Sequence, residues 1–219
     1  RRGGRLVACG RNEKKLQELR AIFSSPDRHT TFAGDLLELE NIKKLHEKCR
    51  EFLGGLDIVI HVAGGGYGFK DRLLSWEQFN KLLMINVSCA VEINRLVVPD
   101  MVNDGWGRIV NVSSVSVSHG GAARTIDYTF SKSALESMTW TLSKSLAPKN
   151  VLINAIRVGV TDTKIHQLNP IKDLEDRIRT IPIGRMADPG EIAETIFFLC
   201  SDRASFISGT VLEATGGEK

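Results

Sequence analysis

Residues 57–62 read Asp-Ile-Val-Ile-His-Val, a nearly continuous apolar run closed by a glycine-rich turn over 63–66. A run this short and this apolar predicts a strand covered on both faces, the pattern of a parallel sheet. Parallel strands need crossover connections, usually helices, and the chain supplies them. Further strand-like runs at 5–9, 30–34, 107–113, 151–157 and 210–214 alternate with helical spacing at 13–23, 39–52, 75–103, 128–146 and 189–200. Ser75 with Gln78 three residues on forms a capping box, and Asp188 followed by Pro189 sets a second helix start. This alternation predicts an α/β fold, a Rossmann-like doubly wound parallel sheet forming a single domain over 1–219, with ligands at the carboxyl ends of the strands. No internal repeat, linker or second domain is visible.

The strand at 107–113 ends in Ser113-Ser114, and Tyr128 and Lys132 open the helix that follows as Tyr-x-x-x-Lys. Positions i and i+4 share a helix face, so the phenol and the ammonium can point into one site. A serine at a strand's carboxyl end faces the same cleft. A free phenol titrates near ~10, too high to trade protons at neutral pH. An ammonium about 4 Å away, at an effective dielectric of about 20, contributes roughly 4 kcal/mol and would bring the phenol close to neutrality. Tyr128 is therefore expected to act as general acid–base, with Ser114 holding a substrate carbonyl oxygen by hydrogen bond.

Composition narrows the partners. Apolar residues make up 42% and charged residues 25% of the chain, and the net charge of +3 comes from interspersed signs. That pattern makes no case for nucleic acid or an anionic membrane as a partner. Cys9, Cys49, Cys89 and Cys200 show neither a paired motif nor metal-ligand spacing, so no metal site is expected. Their reading is reduced, mostly buried thiols in a reducing, cytoplasmic compartment. No apolar run reads as a membrane span or signal peptide.

The Ser and Tyr-x-x-x-Lys residues, with their flanks GRIVNVSS and SKSALESMTWTLSKSLAP, resemble the short-chain dehydrogenase/reductase family over nearly the whole chain. The resemblance implies an oxidoreductase that moves a hydride between a nicotinamide cofactor and a small carbonyl or alcohol substrate. Its catalytic set would be Asn86, Ser114, Tyr128 and Lys132, with Lys132 also binding the nicotinamide ribose and the Asn86 backbone holding a water beside Lys132. Ala63 and Gly64, in His-Val-Ala-Gly where the family has Asn-Asn-Ala-Gly, would let the backbone approach the adenosine ribose. His61 reads as a structural hydrogen-bonder. Asp35 would accept from the adenine amino group, cap the next helix, or do both. Gly159 and Thr163, in a Val-Gly-x-x-x-Thr that stands for the family's Pro-Gly-x-x-x-Thr, would hold the carboxamide, with Thr161 a nearby competitor. Residues 161–183 would form the substrate lid, with Ile165, Leu168, Ile171 and Leu174 as an apolar lining. Lys164, Lys172, Arg177 and Arg179 would either meet an anionic substrate or stay solvated. His119, between Ser114 and Tyr128, would touch substrate or stand exposed.

Arg11 ends the first strand where an acidic residue would select NAD and an arginine accommodates the 2′-phosphate of NADP. NADP is the expected cofactor, with NAD as the other option. The family's pyrophosphate turn, Thr-Gly-x-x-x-Gly-x-Gly, does not occur, and Gly3-Gly4 is too short and precedes a strand. The chain is expected to be N-terminally incomplete, with a central strand and turn of about 20–30 residues ahead of Arg1. The helices at 75–103 and 128–146 carry apolar residues on more than one side, which predicts a homodimer or homotetramer. The rival reading is a non-catalytic nucleotide-sensing or interaction protein on the same fold. The complete Asn86–Ser114–Tyr128–Lys132 set argues against it. Tyr-x-x-x-Lys likewise has no role in a methyltransferase.

Overall fold

The structure, a computed structural model, describes residues 4–65, 74–121, 125–163 and 174–218. Strand and helix alternate as expected: β1 (Leu6–Gly10), α1 (Glu13–Ala21), β2 (His29–Ala33), α2 (Leu39–Leu53), β3 (Ile58–His61), α3 (Trp76–Leu83), α4 (Cys89–Asp104) and β4 (Gly107–Ser114). Then come α5 (Ser116–His119), α6 (Ile126–Leu146), β5 (Val151–Val158), α7 (Leu174–Arg179), α8 (Pro189–Leu199) and β6 (Val211–Ala214). Local chemistry sets several boundaries. The Asn12 side chain accepts from Lys15 N to start α1, and Gly54, at φ 85°, ends α2. Both halves of the Ser75/Gln78 capping box are made, as are those of Asp188/Glu191.

The helix expected over 75–103 is continuous but changes pitch. Between α3 and α4 lies one π-helical turn, Met84–Ser88. By length and composition alone, Trp76–Asp104 could cross a bilayer. Here its Val97 and Met101 lie buried against Val59 and Ile109 of the sheet.

Every strand pairing is parallel. Helices cover both faces of the central strands. Val59, Ile109, Val151 and Ile153 face Val97 and Met101 of α4 and Leu146 of α6, while Val110 and Ile156 face Ile196 and Leu199 of α8. The sheet is nevertheless divided into two: β1–β2 on one side and β3–β4–β5–β6 on the other. One edge of β1 and one edge of β3 therefore have no partner strand among the described residues. The expectation that 57–62 is covered on both faces is corrected here. Val59 and His61 are buried, but Ile58 and Ile60 are each 42% exposed and Val62 60%. They alternate along the strand, so one face is packed and the other is left uncovered by the described residues. The smaller sheet is tied to the rest through α2, where Leu36 and Ile42 pack with Cys89 of α4. Of the cysteines, Cys49, Cys89 and Cys200 are buried and Cys9 is exposed.

Candidate active site

Parallel strands bring their carboxyl ends to one edge, and the polar residues of that edge are held by α6. Three consecutive residues of β4 each take a partner from this helix. Lys132 Nζ donates to the Val112 carbonyl at 2.8 Å. The Ser113 hydroxyl donates to Glu136 Oε1 at 2.7 Å. Ser114 and Tyr128 share a side-chain hydrogen bond. Ser114 Oγ also accepts from the Ser116 backbone N–H at 3.2 Å and lies 3.1 Å from Ser116 Oγ. The predicted Ser114–Tyr128–Lys132 constellation is thus assembled.

Its electrostatics differ from the expectation. Burial holds the Tyr128 phenol above its ordinary value, and the Ser114 hydrogen bond pulls it back only in part. The lowering expected from Lys132 is not found. The ammonium is turned to the Val112 carbonyl, and Nζ stands 5.8 Å from the centre of the Tyr128 ring. Lys132 is itself buried, and desolvation brings its pKa down to about 8.

Asn86 sits in the π-helical turn and is buried. Its Oδ1 accepts from Gly65 N at 2.9 Å, and its Nδ2 donates to Gly65 O at 3.0 Å and to Ser131 Oγ at 2.9 Å. The side chain therefore clamps the turn after β3 onto α6, a role not read from the sequence. Gly64, in that turn, has φ 151°, and a Cβ there would lie 2.4 Å from Asn86 Oδ1 and 3.3 Å from Lys132 Nζ. No side chain fits at Gly64, so the backbone of the turn packs directly against Asn86 and Lys132. His61 behaves as expected: Nε2 is 2.9 Å from Asn94 Oδ1, and burial pushes the imidazole down to about 4.

The remaining predicted residues lie along the same strand ends. Arg11 is exposed immediately after β1. Asp35 follows β2 and accepts from Leu37 N at 3.1 Å, closing a local turn. Ala63 is exposed beside Gly64. Gly159 donates to Ala214 O, and a Cβ there would lie 2.9 Å from Thr215 Cα, so a side chain would strike backbone. Thr163 is exposed, whereas Thr161 is buried and donates to Gly159 O at 3.1 Å. Residues 164–173 of the predicted lid, with Lys164, Ile165, Leu168, Ile171 and Lys172, lie outside the described residues. Its described part includes α7, with Leu174, Arg177 and Arg179. Arg177 joins Glu218, which lies 3.4 Å from His119.

Lys132 and the turn at 63–65 are the groups a nicotinamide cofactor would meet. Of the buried Lys132 donors, one goes to Val112 O. Among the described residues the others remain for hydroxyls, beside the turn at 63–65. That donor set fits a ribose.

A doubly wound parallel sheet with Ser, Tyr and Lys gathered at its carboxyl edge is the layout of a dinucleotide-dependent oxidoreductase. The comparisons agree. Residues 1–218 match a family model described as enoyl-(acyl carrier protein) reductase. A 3-oxoacyl-(acyl-carrier-protein) reductase from Aquifex aeolicus is 34% identical over 84% of this chain and 73% of its own length. The Thermotoga maritima protein of the same name is 30% identical over 98% of this chain and 87% of its own length. A Brucella melitensis crystal structure described as short-chain dehydrogenase/reductase SDR:Glucose/ribitol dehydrogenase superposes with a TM-score of 0.89. It is 25% identical, and the match covers 99% of this chain and 87% of that one. The chain belongs to the short-chain dehydrogenase/reductase family of oxidoreductases.

Proposed function

We propose that this chain reduces the 3-oxo group of an acyl thioester, or oxidises the matching alcohol, with NADPH as cofactor and NADH as the other option. The observation that carries the reading is the Tyr128–Ser114 hydrogen bond at the end of β4, beside the buried Lys132. The names borne by the Aquifex and Thermotoga relatives support the substrate class.

In the reducing direction the substrate carbonyl oxygen sits between the two hydroxyls. Ser114 Oγ donates a hydrogen bond to it. Tyr128 donates its phenolic proton to the alkoxide as it develops, a task suited to a phenol held in its protonated form. A bound nicotinamide supplies the hydride chemistry. Lys132 Nζ holds the ribose hydroxyls, and Asn86 holds the turn at 63–65 against them. Ala63 and Gly64 border the adenosine ribose, Asp35 the adenine, Arg11 the 2′-phosphate, and Gly159 and Thr163 the carboxamide. Residues 161–183 are the lid side of the substrate.

Tyr128→Phe removes the proton donor and little binding surface. With NADPH and acetoacetyl-CoA, kcat is expected to fall by about 100-fold or more. NADPH affinity, read by its fluorescence, should change little. Retention of more than about 5% of wild-type turnover would remove Tyr128 from the role, since a lost general acid costs at least that much.

The working form is a homodimer or homotetramer. Its support is the apolar outer surface of α3, α4 and α6, where Trp76, Val91, Phe130 and Trp140 are all exposed.

A further inference from the structure

The mechanism leaves unused a carboxylate that is completely buried. Glu136 lies on α6, four residues after Lys132 and eight after Tyr128, and has no solvent exposure. Its two oxygens take three donors. Oε1 accepts from Ser113 Oγ at 2.7 Å and from Arg157 Nε at 2.8 Å, and Oε2 accepts from Arg157 Nη2 at 2.8 Å. Arg157 Nη1 donates to Glu213 Oε1 at 2.9 Å.

The sheet register explains why these groups meet. Ser113 of β4 is paired with Arg157 of β5, and Arg157 with Glu213 of β6. The three side chains form one cross-strand row, with Glu136 laid over it from α6. The next row toward the carboxyl edge is Ser114, Val158 and Ala214. That row carries the substrate hydroxyl and leads directly into Gly159. A charge-assisted, two-pronged Arg–carboxylate contact fixes orientation as well as distance. Three strands and the helix bearing Tyr128 and Lys132 are thereby held one residue below the reacting groups.

We propose that Glu136 and Arg157 are positioning residues: through Ser113 they set the height of Ser114 on β4 against Tyr128 on α6. The need for such a clamp is physical. Ser114 and Tyr128 belong to different elements joined by a loop, and a displacement of about 1 Å between reacting groups can cost a large factor in rate. An apolar row would pack the helix as well but would not fix its register along the strand. The buried face of α6 is mixed: Ser131, Lys132, Glu136, Thr139 and Ser143 are buried there beside Leu135 and Leu146.

The proposal rests on the carbonyl-reductase reading, and the test separates the two. Glu136→Gln keeps the size of the side chain and removes the charge. Glu136→Leu with Arg157→Met replaces the pair by apolar groups, an exchange that buried ion pairs often tolerate without loss of stability. Ser113→Ala removes only the link to β4 and leaves the pair intact, so it reads the clamp should the charge variants fail to fold. Each is made with Tyr67→Phe, which leaves Tyr128 as the one tyrosine of two in the chain. Carbon-13 labelling at the phenol carbon then reports that ring alone. Folded variants are expected to lose about tenfold or more in kcat with NADPH and acetoacetyl-CoA, with KM for NADPH little changed, and to move or split the Tyr128 resonance. An unmoved resonance with unchanged kcat overturns the proposal. If the parent chain reduces no 3-oxoacyl thioester, the functional reading fails, and the resonance alone decides the clamp: moved in the variants, it holds; superposed on the parent, it falls.

Discussion

A buried imidazole shows how one residue couples the fold to pH. His61 is held neutral in the folded chain, with its pKa pushed by burial from 6.5 to about 4. Above 6.5 both the folded and the unfolded chain carry a neutral ring, and His61 contributes no pH dependence. Between 6.5 and about 4 the unfolded chain binds a proton that the folded chain does not, so stability falls as pH falls. Below about 4 the loss is complete, at about 3 kcal/mol. His61→Gln keeps an N–H near Asn94 Oδ1 and removes the titration. Its melting temperature should drop less than that of the wild type between pH 7 and pH 4.5; parallel curves would assign the acid sensitivity to other groups. The same scale shows what the sequence made legible. Ser114, Tyr128 and Lys132 were readable because i, i+4 spacing and a strand end fix where side chains go. The state of the phenol was not readable, because it depends on burial and on where the ammonium turns. Glu136 and Arg157 were equally hidden. They are 21 residues apart and meet only through a strand register that no local pattern announces.

Among elements, α6 departs most from the usual amphipathic helix. Its buried side sets Lys132, Glu136 and Thr139 among Leu135 and Leu146, and its outer side carries Phe130, 58% exposed, and Trp140, 47% exposed. Phe130 meets Phe79 of α3, with ring centres 5.9 Å apart, so the outer apolar surface runs across two helices. An exposed apolar surface of this kind marks a site of association. Trp140→Glu should shift the wild-type oligomer toward monomer in sedimentation at micromolar concentration. A wild type that already sediments as a monomer removes the homo-oligomer from the proposal. The sequence hinted at this surface through apolar residues on more than one side of the helix, yet it did not show how many polar groups the buried side would carry. The π-helical turn at Met84–Ser88 left a fainter trace, an asparagine placed inside a helix, where asparagine is unfavourable. The wider turn at Asn86 is what sets its amide between Gly65 and Ser131.

For the molecule as a whole, strand alternation carried the fold class through to a doubly wound parallel sheet. Boundaries moved by a residue or two, and α5 and α7 went unread because four and six residues are too few to show a helical period. The absent pyrophosphate turn already pointed to a gap between the strands at Leu6 and Asp57, and among the described residues no strand pairs with both β1 and β3. That break has a consequence for how the chain opens. Cooperativity travels through shared hydrogen-bond ladders and shared packing. Among the described residues the ladder is interrupted, and the β1–β2 unit is tied in through the Leu36, Ile42 and Cys89 contact. In a polypeptide of residues 1–219 the two sheets should therefore open as separate units. In native-state amide exchange, Val7–Cys9 and Thr30–Phe32 are expected to lose protection about 100-fold faster than Ile109–Val112 and Ile153–Ile156, because a sub-global opening needs less free energy than the global one. Equal protection across both sheets would mean that the molecule opens as one body.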